Sequence, residues 1–504
     1  MTEKVGKGER KILKGDYDTD VLIVGYGAAG AMAAIAAHDA GARVLIMEKL
    51  RFPGGNSGVC AGAIVIPQNI DDAVRYYRAL SFGTVDEEMI QVFAQAMVGI
   101  PRLLTEQGAE FKLQEMEPGN FPSLLNGKLQ HIQFNPTGAD GFRFLQDAVE
   151  GRKIQVLMDT HAKDLIQDLE TREVFGVKAH KGGKEVTFLA RRGVVLACGG
   201  YEYNPSMLAN FNFPGATEYI FPEGTPGNTG DGIKLASEAG AALWHMASIE
   251  WGAFCARKPS QKFGTAVGAG LGRTIPDGSF IFVNKHGKRF MSETVNLIHR
   301  KAPLEILSFD HDRAEYRNLP AYMIFDEVYR SRGPIASTLQ TMKEMWGGPV
   351  GYAKVHRLYE WSSDNRAEIE QGWVLQGDTV GEVAGKIGAD AAALEETIGK
   401  FNRACMDKRD PQFGRAQKSL APLATPPFYA VELALTLINT QGGPKHNVYC
   451  QVMDFNDRPI PRLYAAGELG SFFGFLYQGG TNYPEALAFG QIAGKRAAAE
   501  TSWE

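Results

Sequence analysis

Cysteine is scarce in this chain. Five occur among 504 residues, at Cys60, Cys198, Cys255, Cys405 and Cys450. No CxxC pair exists among them, so paired-cysteine zinc or iron–sulfur sites and CxxCH haem attachment are excluded, and no metal site is expected. An odd, scattered set fits a reducing compartment, so a cytoplasmic protein is expected. No apolar run is long and clean enough to span a membrane. The N-terminal stretch MTEKVGKGERKILKGDYD is charged throughout and lacks an apolar h-region, so no signal peptide is expected. Neither charge sign dominates. Lys and Arg number 53 against 58 Asp and Glu, and the net charge of −5 gives no reason to expect nucleic acid or an anionic membrane surface. No internal repeat or low-complexity tract is visible.

The hydrophobic fraction is 44% and the charged fraction 22%, so a large core can be buried. The length suits two or three domains. The most informative stretch runs from Asp20 to Gly62. Val21 to Val24 is a β-branched apolar run, as in a buried parallel strand. Gly25, Gly27 and Gly30 follow in the pattern GxGxxG, with Ala28 and Ala29 between them and an Ala-rich helical run after. The glycines allow a tight turn, close approach of a pyrophosphate, and close helix–strand packing, and the helix N-terminus offers free N–H groups to phosphate. Arg43 to Met47 reads as a second strand. Glu48 at its end can accept both hydroxyls of an adenosine ribose and would repel a 2′-phosphate, and Lys49 follows. The turn Pro53-Gly54-Gly55-Asn56-Ser57 can lie along a diphosphate and a flavin edge. It favours FAD over NAD, with Gly62 closing the segment.

Further along, Asp71–Leu80 and Asp86–Gln107 read as helices, the second kinked or broken at Pro101. Phe111 to Thr137, rich in Pro, Gly and Asn, reads as loop. Segments 154–159, 161–168 and 173–179 alternate as strands of a small separate sheet, which carries His161 and Ala162. A strand ending in Ala197-Cys198-Gly199-Gly200 brings small residues to the dinucleotide again. Thr229-Gly230-Asp231-Gly232 opens a helix, at which Asp231 can be a cap or a cofactor residue. Residues 251–426 lose these signals and read as an inserted cap domain, with a helical pair over Val383–Cys405 broken near Gly388. Pro461 to Glu468 then reads as a strand followed by Gly467 and Glu468, the latter placed for ribityl hydroxyls. The block Gly479 to Gly490, which holds Asn482, Ala486 and Leu487, opens a last helix. The expected organisation is an N-terminal arm at 1–17, an FAD-binding domain in two parts (18–250 and 427–504), and the cap. The fold class is α/β: a Rossmann-type FAD-binding domain with an inserted α+β cap domain.

These blocks, in this order, resemble the fumarate reductase and succinate dehydrogenase flavoprotein superfamily over Asp18 to Ala499. The resemblance implies FAD, a cap closing over the flavin, and hydride transfer between flavin N5 and a carbon near an activating carbonyl. It also implies where this chain departs from its relatives. Fumarate reductases clamp two carboxylates with two histidines and two arginines. Here those positions align with Gly252 and Asn439, and with Leu297 and Tyr477. Four neutral replacements argue against a C4-dicarboxylate. Tyr477-Gln478-Gly479-Gly480-Thr481 is instead similar to the tyrosine-and-glycine element of 3-ketosteroid dehydrogenases. That resemblance implies a ketone oxygen held by Tyr477 with the backbone of Gly480 or Thr481.

Those dehydrogenases carry a tyrosine base a few residues after the Arg-Phe-x-x-Glu block. Here the place holds Thr294, Val295, Asn296 and Leu297. Asn296 is a candidate site residue that cannot act as a base. His299 is a candidate base by its intrinsic acidity. Arg257, Arg300 or Lys445 can bind a carboxylate, and the role of Lys445-His446 is open. The leading expectation is α,β-desaturation of a cyclic ketone, a 3-ketosteroid or smaller cyclohexanone, with a separate electron acceptor: oxygen, a quinone or a protein. The alternatives are an ene-reductase or dehydrogenase of an unsaturated carboxylic acid, and a flavin-carrying subunit without chemistry of its own.

Overall fold

A computed structural model describes residues 3–5, 14–60, 64–116, 120–121, 124, 129–134, 141–168, 170–258, 263, 278–293, 301–336 and 359–503. The chain divides into two compact units. The first comprises Met1–Met207, Gly224–Ile249 and Asn439–Glu504; the second comprises Leu208–Glu223 and Glu250–Ile438.

The first unit is built on a nine-stranded sheet. Its parallel heart consists of β1 (Tyr17–Val24), β2 (Val44–Met47), β3 (Gln155–Leu157), β4 (Lys184–Leu196) and β5 (Pro459–Ala465), in the spatial order β3-β2-β1-β4-β5. Val21, Leu22 and Ile23 of β1 are fully buried, as the unbroken apolar run requires of a strand covered on both faces. Helix α1 (Ala28–Asp39) follows β1, and helix α2 (Asn482–Ala499) lies along it. Both helices have small residues where they meet. A Cβ at Gly490 or Gly494 would overlap the carbonyl oxygens of Ala29 or Ala33, so the Gly and Ala content sets how near the helices come.

Two readings of the sequence change here. The strands Thr160–Asp168 and Val174–Lys181 do not form a separate sheet. They join the main one through β4, a thirteen-residue strand whose first half pairs antiparallel with Val174–Lys181 and whose second half pairs parallel with β1, across a bulge at Ala190–Gly193. Phe111–Met116 and Leu129–Phe134 are strands, not loop; they pair with each other, and Leu129–Phe134 pairs in turn with Ile64–Pro67. The break expected at Pro101 is present: the 86–107 segment is two helices, Glu87–Val98 and Ile100–Glu106, with Pro101 in the first turn of the second.

The second unit holds a six-stranded sheet organised on Phe428–Thr440. Ile220–Pro222 pairs with Leu435–Leu437, so 208–223 joins this unit although the sequence reading begins the insertion at 251. Val380–Ile387 and Ala391–Met406, separated at Gly388, cover the sheet through Leu394, Ile398 and Phe401. A buried charge cluster braces it. Arg289 bonds Glu293 and Asp410, and Arg415 reaches the same Glu293.

Candidate functional site

The site grows from the turn between β1 and α1. Gly25 has φ +106°, a conformation an L side chain resists, and a Cβ there would overlap the Ala197 carbonyl of the next strand. Gly27 caps α1 without any side-chain hydrogen bond, and no acid lies in the first turn. The helix therefore presents N–H groups and a positive dipole end at the turn. Ser57 Oγ accepts from Ala28 N at 3.2 Å, and Gly54 N donates to Tyr26 O at 2.7 Å, so the second glycine turn is tied to the first. Gly55, Asn56 and Ser57 form one short 3-10 turn. Gly62 lies outside the described residues.

Glu48 is buried at the end of β2, where its two carboxyl oxygens accept from Tyr26 N and Leu50 N, each at 2.8 Å. Burial raises its pKa and the two N–H groups oppose the shift. Each oxygen keeps a lone pair for a ribose hydroxyl. Beside it, Lys49 Nζ meets Asp231 Oδ2 at 2.6 Å and Thr229 Oγ1 at 2.8 Å, and His161 Nε2 lies 3.0 Å from the same Asp231 oxygen. Asp231 is not a helix cap. Gly230 is the capping residue, and Asp231 links the strand bearing His161 to Lys49. Burial alone would raise the Asp231 pKa, but His161 and Lys49 hold it well below the usual carboxylate range. Ala162 is buried in that strand, and Ala197 N is bonded to Val24 O.

At the other end of the turn lies a polar cluster that the sequence reading half missed. Asn56 Nδ2 donates to Glu202 Oε1 at 2.8 Å and to Glu468 Oε2 at 3.0 Å. Asn228 Nδ2 donates to Glu202 at 2.7 Å, and Asn439 Nδ2 to Glu468 at 2.9 Å. Burial raises both carboxyls; for Glu468 the neighbouring Glu202 charge adds to the shift. Glu468 and Asn56 were expected here. Glu202, Asn228 and Asn439 were not, although an acid two residues beyond Gly199-Gly200, at the end of a buried strand, was a signal to follow. Gly199 and Gly200 lie against Asn228 and Thr440 of this cluster, and Gly467 against Ala29 of α1.

Tyr477 is buried, with its ring edge-on to Phe473 at 5.0 Å. Its hydroxyl oxygen accepts the N–H groups of Thr481 and Asn482, both at 3.2 Å, at the start of α2. Thr481 N also reaches Gln478 O, so this N–H serves the loop and not a ligand; of the two expected backbone donors, only Gly480 remains. The loop is fixed from outside. Tyr76 Oη donates to Gln478 Oε1 at 2.6 Å, and Asn120 Oδ1 accepts from Gln478 Nε2 and Gly479 N, each at 2.8 Å. Asn482 makes a reciprocal amide pair with Gln441. Ala486 and Leu487 are buried on α2. His299, Asn296, Leu297 and Arg300 lie outside the described residues.

The remaining candidates sit elsewhere. In the second unit, Arg257 is buried against Glu432, meets Glu218 at 3.2 Å, and lies over the Tyr219 ring, so its charge is already matched. In the first unit, Lys445 pairs with Asp457 at 2.5 Å, while His446 is core, packed against Trp244 and Phe489. At Gly252, in the second unit, a Cβ would overlap Thr436 Oγ1 and come within 2.9 Å of the Glu223 carboxyl. No group able to hold a metal ion occurs among the described residues, and none of their helices is long and apolar enough to cross a membrane.

Comparison with known proteins adds to this geometry. A family described as FAD binding domain matches residues 20–483. A urocanate reductase of Eggerthella lenta is 29% identical over 96% of this chain and 75% of its own length. A probable fumarate reductase of Shewanella frigidimarina is 26% identical over 95% of this chain and 75% of its own. A 3-oxosteroid 1-dehydrogenase of Mycolicibacterium smegmatis is 25% identical over 94% of this chain and 96% of its own. Among solved structures, a 3-ketosteroid delta1-dehydrogenase from Sterolibacterium denitrificans matches with a TM-score of 0.77 at 23% identity, over 96% of this chain and 99% of that one. That last likeness speaks to the fold.

Proposed function

Since this chain belongs to the FAD binding domain family, with reductases and dehydrogenases acting on CH–CH groups among its relatives, we propose that it desaturates a cyclic ketone between the α and β carbons. The supporting observation is the hydroxyl of Tyr477. Because its oxygen accepts two backbone N–H bonds, its own O–H is a stronger donor, through the cooperativity of hydrogen-bond chains. A ketone oxygen that receives this proton is polarised, and its α C–H becomes acidic. Gly480 N–H is the proposed second donor, His299 the proposed base for the α proton, and Asn296 a further proposed site residue. FAD, when bound, supplies an acceptor for the β hydride.

The residues present fit that cofactor. The α1 N-terminus suits the diphosphate, Glu48 the adenosine ribose with Lys49 and Asp231 beside it, and Glu468 the ribityl chain. The electron partner is proposed to be separate, as oxygen, a quinone or a protein. The five free thiols support a cytoplasmic setting.

The second reading, reduction of an unsaturated carboxylic acid, is favoured by the urocanate and fumarate reductase relatives. Against it stand the matched charges of Arg257 and Lys445 and the crowded Gly252. One panel separates the two. Oxidised protein is mixed anaerobically with a 3-ketosteroid, a cyclohexanone carboxylic acid and succinate, and flavin bleaching is followed near ~450 nm. Bleaching by a ketone alone is expected. Bleaching by succinate, or reoxidation of dithionite-reduced protein by an enoate but not an enone, overturns the ketone reading.

A further inference from the structure

Glu202 and Glu468 are tied to the same two amides. Asn56 Nδ2 bridges them at 2.8 and 3.0 Å, and Asn228 Nδ2 spans them at 2.7 and 3.4 Å. Among the described residues, no lysine or arginine bonds either carboxyl. A third acid, Glu485 at the start of α2, adds to the upward shift of Glu468. Two carboxyls this near, enclosed and without a cation, do not both ionise readily.

A second observation in the same pocket is independent of charge. Asn439 is 2% exposed and donates Nδ2 to Glu468, yet its Oδ1 is buried with no hydrogen-bond partner among the described residues. An orphaned buried acceptor costs about 1–3 kcal/mol and calls for a donor from a ligand. The pocket adjoins the diphosphate end of the turn. Glu468 follows Gly467, which lies against Ala29 of α1, and Asn56 precedes Ser57, which is bonded to Ala28 N. A ligand with hydroxyl donors joined to a diphosphate matches both features, and the ribityl chain of FAD has that form.

We propose that Glu202 is a positioning residue for FAD: Asn56 and Asn228 donate N–H to both carboxyls and hold them together, the pair carries a single proton, and FAD binds with uptake of that proton where the free pair has lost it, while its ribityl hydroxyls donate to Glu468 and to Asn439 Oδ1. The proton comes from solvent, and no covalent bond changes. A diphosphate brings further negative charge, so the bound state holds the proton more firmly than the free protein does. By linkage, FAD affinity then falls as pH rises through the range where the free pair loses its proton. This inference rests on FAD binding alone and is independent of the substrate.

The test dilutes full-length holoenzyme between about pH 6 and about pH 9 and reads released FAD by its fluorescence, giving a Kd at each pH. In the native protein Kd rises with pH over part of this range, by at most about tenfold per unit for one proton. In Glu202→Gln the amide stands in for the protonated acid, and Kd becomes flat. Glu468→Gln removes the other half of the shared site and flattens the profile as well, so a failure of one variant to fold leaves the other decisive. Glu202→Asp restores the slope, which a purely structural role would not do. His161→Asn, at the Asp231 end, keeps it. A flat native profile, or a slope that survives both glutamine variants, overturns the proposal.

Discussion

Single residues here carry charges that the fold must satisfy. Arg257 and Glu432 are both nearly enclosed in the second unit, so removing one strands the other. Arg257→Ala is expected to destabilise by about 3–5 kcal/mol, and the double variant Arg257→Met with Glu432→Leu by much less. Urea denaturation of the three proteins tests this; equal losses in single and double variants would show that the pair is not coupled. Glu485 gives a pH prediction. Burial pushes its carboxyl up to about 8 from 4.5, although Phe472 N and Ser471 Oγ bond it. The folded state thus holds a proton that the unfolded chain releases between these values. Stability is fullest below the ordinary carboxylate range and declines as pH rises toward about 8, by up to about 1.4 kcal/mol per unit. Glu485→Gln is expected to remove one proton's worth of that slope, measured by denaturation across the window. An unchanged slope would mean Glu485 is ionised throughout.

Among the elements, the α1–α2 pair joins the start of the chain to its end. Its close approach depends on Gly490 and Gly494 facing Ala29 and Ala33. Gly494→Leu is expected to force the helices apart, cost about 1–3 kcal/mol, and loosen FAD, since the α1 N-terminus is the proposed seat of the diphosphate. A lowered melting temperature with weaker FAD retention is the expected result; retention unchanged in a less stable protein would uncouple packing from the cofactor turn. The β1–turn–α1 unit was legible in the sequence because its apolar run, glycines and acid are contiguous. The strands Phe111–Met116 and Leu129–Phe134 were not. Their flanks are rich in Pro, Gly and Asn, and their stability comes from pairing with each other and, through Leu129–Phe134, with Ile64–Pro67, which no local pattern announces. The full length of β4 was hidden for a similar reason: the Ala190–Gly193 bulge, at Arg191-Arg192, interrupts the apolar alternation within a continuous strand.

Over the whole molecule, what sequence reading placed best were residues near each other in the chain, such as Gly25, Glu48 and Asn56. The cluster of Asn56, Glu202, Asn228, Asn439 and Glu468 is drawn from five distant segments, and only folding brings it together. Tyr477 was identified by its motif, but its two N–H donors became visible only once α2 was seen to start at Asn482. Those two bonds bear directly on the chemistry proposed here, because an oxygen that accepts N–H bonds has the more strongly donating O–H.

The measurement that tests this account most directly is the rate of flavin bleaching on anaerobic mixing with a cyclic ketone, compared between the native protein and Tyr477→Phe. Removing one such donor is expected to slow bleaching about 10²–10³-fold with FAD still bound. Equal rates in the two proteins would contradict the assignment of Tyr477 as the group that polarises the ketone.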